Sequence, residues 1–336
     1  MSERRFKIAV TDFIIDSLED SLEPERRILG DLADVFACDA YDERQLWGKI
    51  EDVDAIMMYH NISITRATIE RLTRCKLIVR CGVGFDNVER VFARERGIPV
   101  CNVPDYGTEE VADSAIGMML AMTRGISVLD SKLKRKAGEW RYTEVAPLRR
   151  LRGRVFGIIG LGRIGTAAAL RGKVIGMEVV FLDPYKQDGY DKSLGVRRVE
   201  TLDELLRQSH VLSIHCPLTP ETRHLIDASA IAKMSPGSYL VNTARGAIVK
   251  TSDVPQAIAS GQLAGAAIDV LEHEPPPDDD PLIVAWRDPS HPAHDRVIVN
   301  PHAAFYSEEG LMDMRTKGSD ACRRALLGMP LRNVVN

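Results

Sequence analysis

Val155-Phe156-Gly157-Ile158-Ile159-Gly160-Leu161-Gly162-Arg163-Ile164-Gly165 is the stretch on which the reading of this chain turns. Its first five residues are apolar or small, as a parallel strand buried on both faces has to be. The next six fit G-x-G-x-x-G, a pattern too common to mean much alone. Its surroundings give it meaning: 166–175 has helical spacing, and 178–182 is a second apolar run that ends at Asp183. Strand, glycine turn, helix, strand and acid in that order make a dinucleotide-binding unit. Gly160 allows the tight turn, Gly162 lets the backbone approach a pyrophosphate, and Gly165 lets the helix pack close to the strand. The helix N-terminus then holds the phosphates. Asp183 stands 18 residues after Gly165, where a carboxylate accepts hydrogen bonds from the adenine ribose hydroxyls, which points to NAD. A flavin would use a similar turn, but by analogy flavoproteins carry it near the N-terminus of the chain.

Working outward, similar apolar runs recur at 211–215, 239–242, 266–270 and 297–299, and before the turn at 6–10, 55–58, 77–79 and 100–103. Most intervals have room for a crossover helix, so the expected class is α/β with doubly wound parallel sheets. The stretch 105–124 reads as the longest helix, opening with Asp105, Glu109 and Glu110, closing at Gly125, and bridging two domains. Pro275 to Pro281, PPPDDDP, reads as a surface loop. The basic stretch 132–154 reads as a solvated face or a subunit contact.

A chain of 336 residues predicts about two domains at roughly 150 residues each. Hydrophobic residues at 45% and charged residues at 27% fit a globular protein with a packed core. With 44 Lys plus Arg against 48 Asp plus Glu, the formal charge of −4 gives no basic field for nucleic acid or an anionic membrane. Six cysteines without a C-x-x-C pair read as reduced core residues. Asp12 and Asp16 break the apolar stretch after the first residues, and no uncharged run nears the roughly 18 residues of a span, so a cytoplasmic protein is expected. The histidines lack metal-ligand spacing, and no metal is expected.

Arg245, Glu274 and His302 each follow an apolar run of the second half. The C-terminal ends of strands line the ligand crevice of an open α/β sheet, so these three can meet. Each alone has an ordinary explanation, as a surface cation, a solvated acid and a helix cap. Together they supply what reduction of a 2-keto acid needs: a cation for carboxylate and carbonyl, a proton donor for the developing alkoxide, and a carboxylate that keeps the donor protonated.

VFGIIGLGRIG, LVNTARG at 240–246, AAIDVLEHEP at 266–275 and NPHAAFYSEEG at 300–310 resemble the D-isomer-specific 2-hydroxyacid dehydrogenases. With RCGVGFDNV at 80–88 and CNVP at 101–104, the resemblance is closest to the branch that holds the C-terminal-binding protein corepressors. It implies an NAD-binding Rossmann domain at 104–301 inserted into a flavodoxin-like substrate domain made of 1–103 and 302–336, and a homodimer. It implies that Arg245 binds and polarises the keto acid, that Glu274 pairs with the histidine, and that His302 is the acid/base. Arg80 and the backbone of Val83 and Gly84 would hold the substrate carboxylate, and Phe305 would stand against the substrate side chain where relatives have tryptophan. Arg163 and Ile164 would lie by the pyrophosphate, Cys216, Pro217, Thr243 and Ala244 would line the cofactor, and Asp269 would hydrogen-bond the nicotinamide carboxamide.

Three functions compete on these residues. The first is an NAD-dependent 2-keto acid reductase. The second is an NADH-sensing interaction protein like the corepressors, against which the complete Arg, Glu and His set counts. The third is oxidation of formate or phosphite: formate enzymes have Gln where Glu274 stands, whereas phosphite enzymes keep the whole set.

Overall fold

A computed structural model describes residues 4–12 and 22–336; Asp16 lies outside the described residues. The chain forms two compact units, Met1–Gly107 with Ser307–Asn336, and Thr108–Tyr306. The divisions fall a few residues beyond the expected borders at 103/104 and 301/302, which keeps His302 in the unit of the preceding strand.

The first unit holds five parallel strands, β1 (Phe6–Val10), β2 (Ala33–Ala37), β3 (Ala55–Met58), β4 (Ile78–Arg80) and β5 (Val100–Asn102). Their order, β2-β1-β3-β4-β5, is the flavodoxin-like one. AIMM in β3 is buried throughout because it lies inside the sheet between β1 and β4. The edge strand β2, ADVFA, has an exposed Asp34 and gave no apolar signal.

The helix Glu308–Leu326, at 19 residues, is longer than Thr108–Thr123 at 16, so the expectation for 105–124 fails on both length and extent. Thr108–Thr123 also lies entirely in the second unit. The C-terminal helix has a narrow buried stripe containing glycines at 310 and 318, which dilutes its apolar periodicity. Ser307 caps it, accepting from the Gly310 amide at 2.8 Å, and Glu308 and Glu309 complement the positive end. Gly318 is required for close packing, since a Cβ there would stand 2.7 Å from Cys81 Sγ. Within the same unit Arg315 donates to both oxygens of the fully buried Glu25, at 2.7 and 2.6 Å.

The second unit holds seven parallel strands: β6 (Val155–Ile159), β7 (Glu178–Leu182), β8 (Arg197–Arg198), β9 (Val211–Ile214), β10 (Ser238–Asn242), β11 (Leu263–Ile268) and β12 (Val297–Val299). Their order is β12-β11-β10-β9-β6-β7-β8, so the chain winds one way from β6 and then the other way from β9. Alternate residues serve opposite layers. Leu212, Leu240 and Ile268 pack into one core, and Phe156, Val211, Val241 and Ala267 into the other. Strand β8, two arginines at the sheet edge, carries no apolar signal and was not expected. The helix after the glycine turn is Arg163–Val174, beginning three residues before the expected Thr166 because Arg163, Ile164 and Gly165 are already helical. Among the described residues no helix is long and apolar enough to cross a membrane.

The buried Glu25–Arg315 pair yields a prediction. Breaking one partner leaves a buried charge uncompensated, so Glu25→Gln should lower stability by about 3 kcal/mol in urea unfolding. A loss below about 1 kcal/mol would show that the pair contributes no more than a surface contact.

Candidate active site

The sheet of the second unit reverses direction between β6 and β9, and the glycine turn lies at that point. Gly160 has a positive φ of 87°, and a Cβ on it would stand 2.7 Å from the Cys216 amide nitrogen just beyond β9. A Cβ on Gly165 would stand 2.1 Å from the Gly160 carbonyl oxygen, so helix and strand approach as only glycine permits. Gly162 meets nothing within 4 Å, and a side chain there would fill open space in front of the turn. As N-cap of the helix Arg163–Val174, Gly162 makes no side-chain capping bond to the first-turn amides. Asp183 at the end of β7 accepts from the Leu161 amide at 2.8 Å through one oxygen and from the Tyr185 amide at 3.0 Å through the other. It therefore shapes the turn.

These features fit a dinucleotide. The turn leaves room for phosphates, the helix end is uncapped, and a carboxylate follows β7. Thr243, beyond β10, is 8% exposed, and its hydroxyl has no hydrogen-bond partner among the described residues. A buried hydroxyl of this kind is suited to a ligand group. Cys216 is half-buried, and burial pushes its thiol up to about 12, so it serves as an uncharged wall. Pro217 accepts from the Thr222 hydroxyl at 2.7 Å, which fixes the loop after β9.

Arg245, Glu274 and His302 follow β10, β11 and β12, three neighbouring parallel strands. The Nδ1 atom of His302 lies 2.7 Å from Glu274 Oε2, and the other carboxylate oxygen accepts from the Leu271 amide at 2.8 Å. A carboxylate only accepts, so the imidazole carries its proton on Nδ1. His302 has a φ of 53°, a conformation rare for residues other than glycine. It is held there from below: the His302 amide donates to the Asp269 carbonyl at 2.8 Å, and Asp269 Oδ1 accepts from Ala303 and Ala304 at 2.9 and 3.0 Å. Burial of Asp269 pushes its carboxyl above the usual range, and these two amides pull it back. The rings of Phe305 and His302 meet edge to face, with centroids 6.1 Å apart. Arg245 donates from its guanidinium to the Ala244 carbonyl at 2.8 Å.

The structure thus brings Arg245, Asp269, Glu274, His302 and Phe305 into one unit with the glycine turn. Arg80, Val83 and Gly84 belong to the other unit, at the end of β4. There Arg80 lies over Gly82, donating to the Cys81 carbonyl at 3.1 Å, and the Val83 carbonyl accepts from Asn102 at 2.7 Å.

Two supporting residues escaped the sequence reading. Asn242 donates to the Arg245 carbonyl at 2.9 Å and accepts from the Ala244 amide at 3.0 Å, bracing the loop that presents the arginine. Glu272 accepts from Arg223 and, at 2.9 Å, from His224 Nε2, while the backbone of Leu271 and Glu272 rests on Gly246. The visible sign for both was proximity in sequence, Asn242 to Arg245 and Glu272 to Glu274.

Residues 116–304 match the family described as D-isomer specific 2-hydroxyacid dehydrogenase, NAD binding domain. The chain is 35% identical over 330 residues to D-3-phosphoglycerate dehydrogenase of Methanocaldococcus jannaschii, covering 98% of this chain and 59% of that protein. It is 33% identical over 312 residues to C-terminal-binding protein 1 of Caenorhabditis elegans, covering 90% of this chain and 42% of the relative. The chain therefore spans about half the length of these two relatives. The crystal structure of D-lactate dehydrogenase from Aquifex aeolicus complexed with NAD and lactic acid superposes with a TM-score of 0.82 at 27% identity, covering 96% of each chain.

His215 sits between β9 and Cys216, half-buried, with Nε2 hydrogen-bonded to the Ser213 hydroxyl at 2.9 Å. Burial lowers its pKa from 6.5 to about 4. The unfolded chain then takes up the proton first as pH falls, so stability is retained above about 6.5 and lost between there and 4. We expect a loss of about 2 kcal/mol between pH 7 and pH 5 that disappears in His215→Gln. Urea unfolding at the two pH values checks this, and an equal slope in the variant would assign the loss to other groups.

Proposed function

The chain belongs to the family of D-isomer-specific 2-hydroxyacid dehydrogenases, and from that premise we propose that it is an NAD-dependent oxidoreductase interconverting a D-2-hydroxy acid and its 2-keto acid. The observation that carries the reading is the 2.7 Å contact between His302 and Glu274 at the ends of neighbouring strands, in the unit that bears the glycine turn.

The cofactor contributes the hydride when reduced and accepts it when oxidised. Gly160, Gly162, Arg163, Ile164 and Gly165 would cradle its phosphates, Asp183 the ribose, and Cys216, Pro217, Thr243, Ala244 and Asp269 its nicotinamide half. Arg245 binds the substrate carboxylate and polarises the keto oxygen. With Glu274 on Nδ1, proton exchange with the substrate oxygen falls to Nε2 of His302. Glu274 holds the ring so that Nε2 faces away from the carboxylate. Asp269 holds the loop of His302 at its positive φ, so ring placement is set before substrate arrives. Phe305, edge to face with His302, would border the substrate side chain. A phenyl ring leaves more room there than an indole, which favours keto acids larger than glyoxylate.

A homodimer in the cytoplasm is part of this reading, and sedimentation as a single chain would remove the dimer. The similarity to C-terminal-binding protein 1 supports a second reading, an NADH-sensing interaction protein.

An NADH-oxidation screen over 2-keto acids of graded size and charge separates the two. Turnover on at least one acid is expected, and tight NADH binding without turnover on any would favour the sensor. On the best substrate, His302→Asn should lower kcat by about 100- to 10,000-fold while leaving NADH affinity within about threefold. Turnover near that of the unaltered chain, with chemistry rate-limiting, would take the acid/base role away from His302.

A further inference from the structure

Arg245 and Glu274 stand on two loops that lie against each other, the first following β10 and the second β11. A Cβ on Gly246 would stand 1.9 Å from the Leu271 carbonyl carbon and 2.4 Å from the Glu272 amide nitrogen, so the two backbones meet with no room for a side chain. One such contact sets a distance. It leaves the loops able to turn about it, and with them Arg245, one residue before Gly246, and Glu274, two residues after Glu272.

His224 supplies a second tie. Its amide donates to the Ala247 carbonyl at 2.7 Å, two residues beyond Arg245, and its Nε2 lies 2.9 Å from Glu272 Oε2, two residues before Glu274. A carboxylate only accepts, so this ring carries its proton on Nε2. One residue thus holds the arginine loop by its backbone and the glutamate loop by its side chain. The Ile226 amide, donating to the Ile248 carbonyl at 3.1 Å, and the Lys250 amide, donating to the Ile226 carbonyl at 3.0 Å, continue the seam along the arginine loop. The other oxygen of Glu272 accepts from Arg223. The hydrogen bond from His224 first, and then the charge of Arg223 acting against burial, hold the half-buried Glu272 carboxyl below its usual range. His224 itself has a φ of 50°, a turn that glycine would make at lower cost. The bond to Glu272 is what histidine adds.

We propose, resting the kinetic consequence on the oxidoreductase reading, that His224 is a positioning residue that clamps the loops of Arg245 and Glu274 to each other. Reduction needs the carbonyl polarised by Arg245 and protonated from His302 in one geometry, so a displacement between the two loops slows the chemical step. The glycine turn beyond β6 lies outside the clamp, and NADH affinity does not depend on it.

Two substitutions separate the clamp from the fold. His224→Asn places a residue that tolerates positive φ but is too short to reach Glu272, whereas His224→Gln keeps a donor near the position of Nε2. With NADH and the best 2-keto acid, His224→Asn is expected to lower kcat by about 10- to 100-fold, with Tm and NADH affinity unchanged, and His224→Gln to recover most of that loss. In a Glu272→Ala background His224→Asn should add nothing, because the tie is already cut. Hydrogen exchange of the full chain reads the clamp without turnover: the amides of 271–274 should exchange about tenfold faster in His224→Asn and as slowly as in the unaltered chain in His224→Gln. Unaltered exchange in His224→Asn would overturn the clamp, whether or not the chain is active. An unaltered kcat, a lowered Tm that accounts for the loss, or losses additive with Glu272→Ala would overturn the positioning role. An unaltered chain that turns over no keto acid would instead count against the oxidoreductase reading, and exchange would still decide the clamp.

Discussion

Everything in the second unit is arranged around the contact between Gly165 and the carbonyl of Gly160, where a single added methyl group would stand 2.1 Å from oxygen. That approach brings the start of the helix Arg163–Val174 directly over the end of β6. It places the helix N-terminus at the one point where the sheet changes direction, with β7 on one side and β9 on the other. Asp183 closes the arrangement by bonding the Leu161 amide, so the residue proposed for the ribose also holds the turn in shape. One steric constraint therefore fixes the glycine turn, the helix N-terminus and the Asp183 carboxylate together.

The chemical end of the site follows from strand order. Because β10, β11 and β12 are parallel neighbours, the residues just beyond them must emerge on the same edge of the sheet. Arg245, Glu274 and His302 are separated in sequence by roughly a crossover unit each, yet they follow three neighbouring strands, and Glu274 and His302 are in contact. Their final orientation is set by supports rather than by the strands. Asn242 braces the arginine loop, Asp269 the histidine loop, and Glu272 the segment that leads to Glu274. The strain stored in the positive φ of His302 is sustained by those hydrogen bonds to Asp269.

The sequence revealed what burial writes as an unbroken apolar run. VFGII, EVVFL and VIV matched their strands to the residue, because apolar side chains dominate each of them, in β12 even at the sheet edge. The edge strands ADVFA and Arg197–Arg198 were missed, since an edge tolerates charge. The longest helix was missed because two of its buried positions are glycines chosen for close contact rather than hydrophobicity. At the site, residues whose type announces chemistry were visible, while Asn242 and Glu272 were not. They act on backbone and on other side chains, and that work leaves no pattern of spacing.

The central claim is that hydride reaches one face of the keto carbon and a proton from His302 reaches its oxygen, in a 2-keto acid held by Arg245 with His302 fixed by Glu274 and Asp269. Chiral separation of the hydroxy acid formed from a prochiral 2-keto acid and NADH tests it most directly. The account predicts the D enantiomer alone, and formation of the L enantiomer or of a racemate would contradict it.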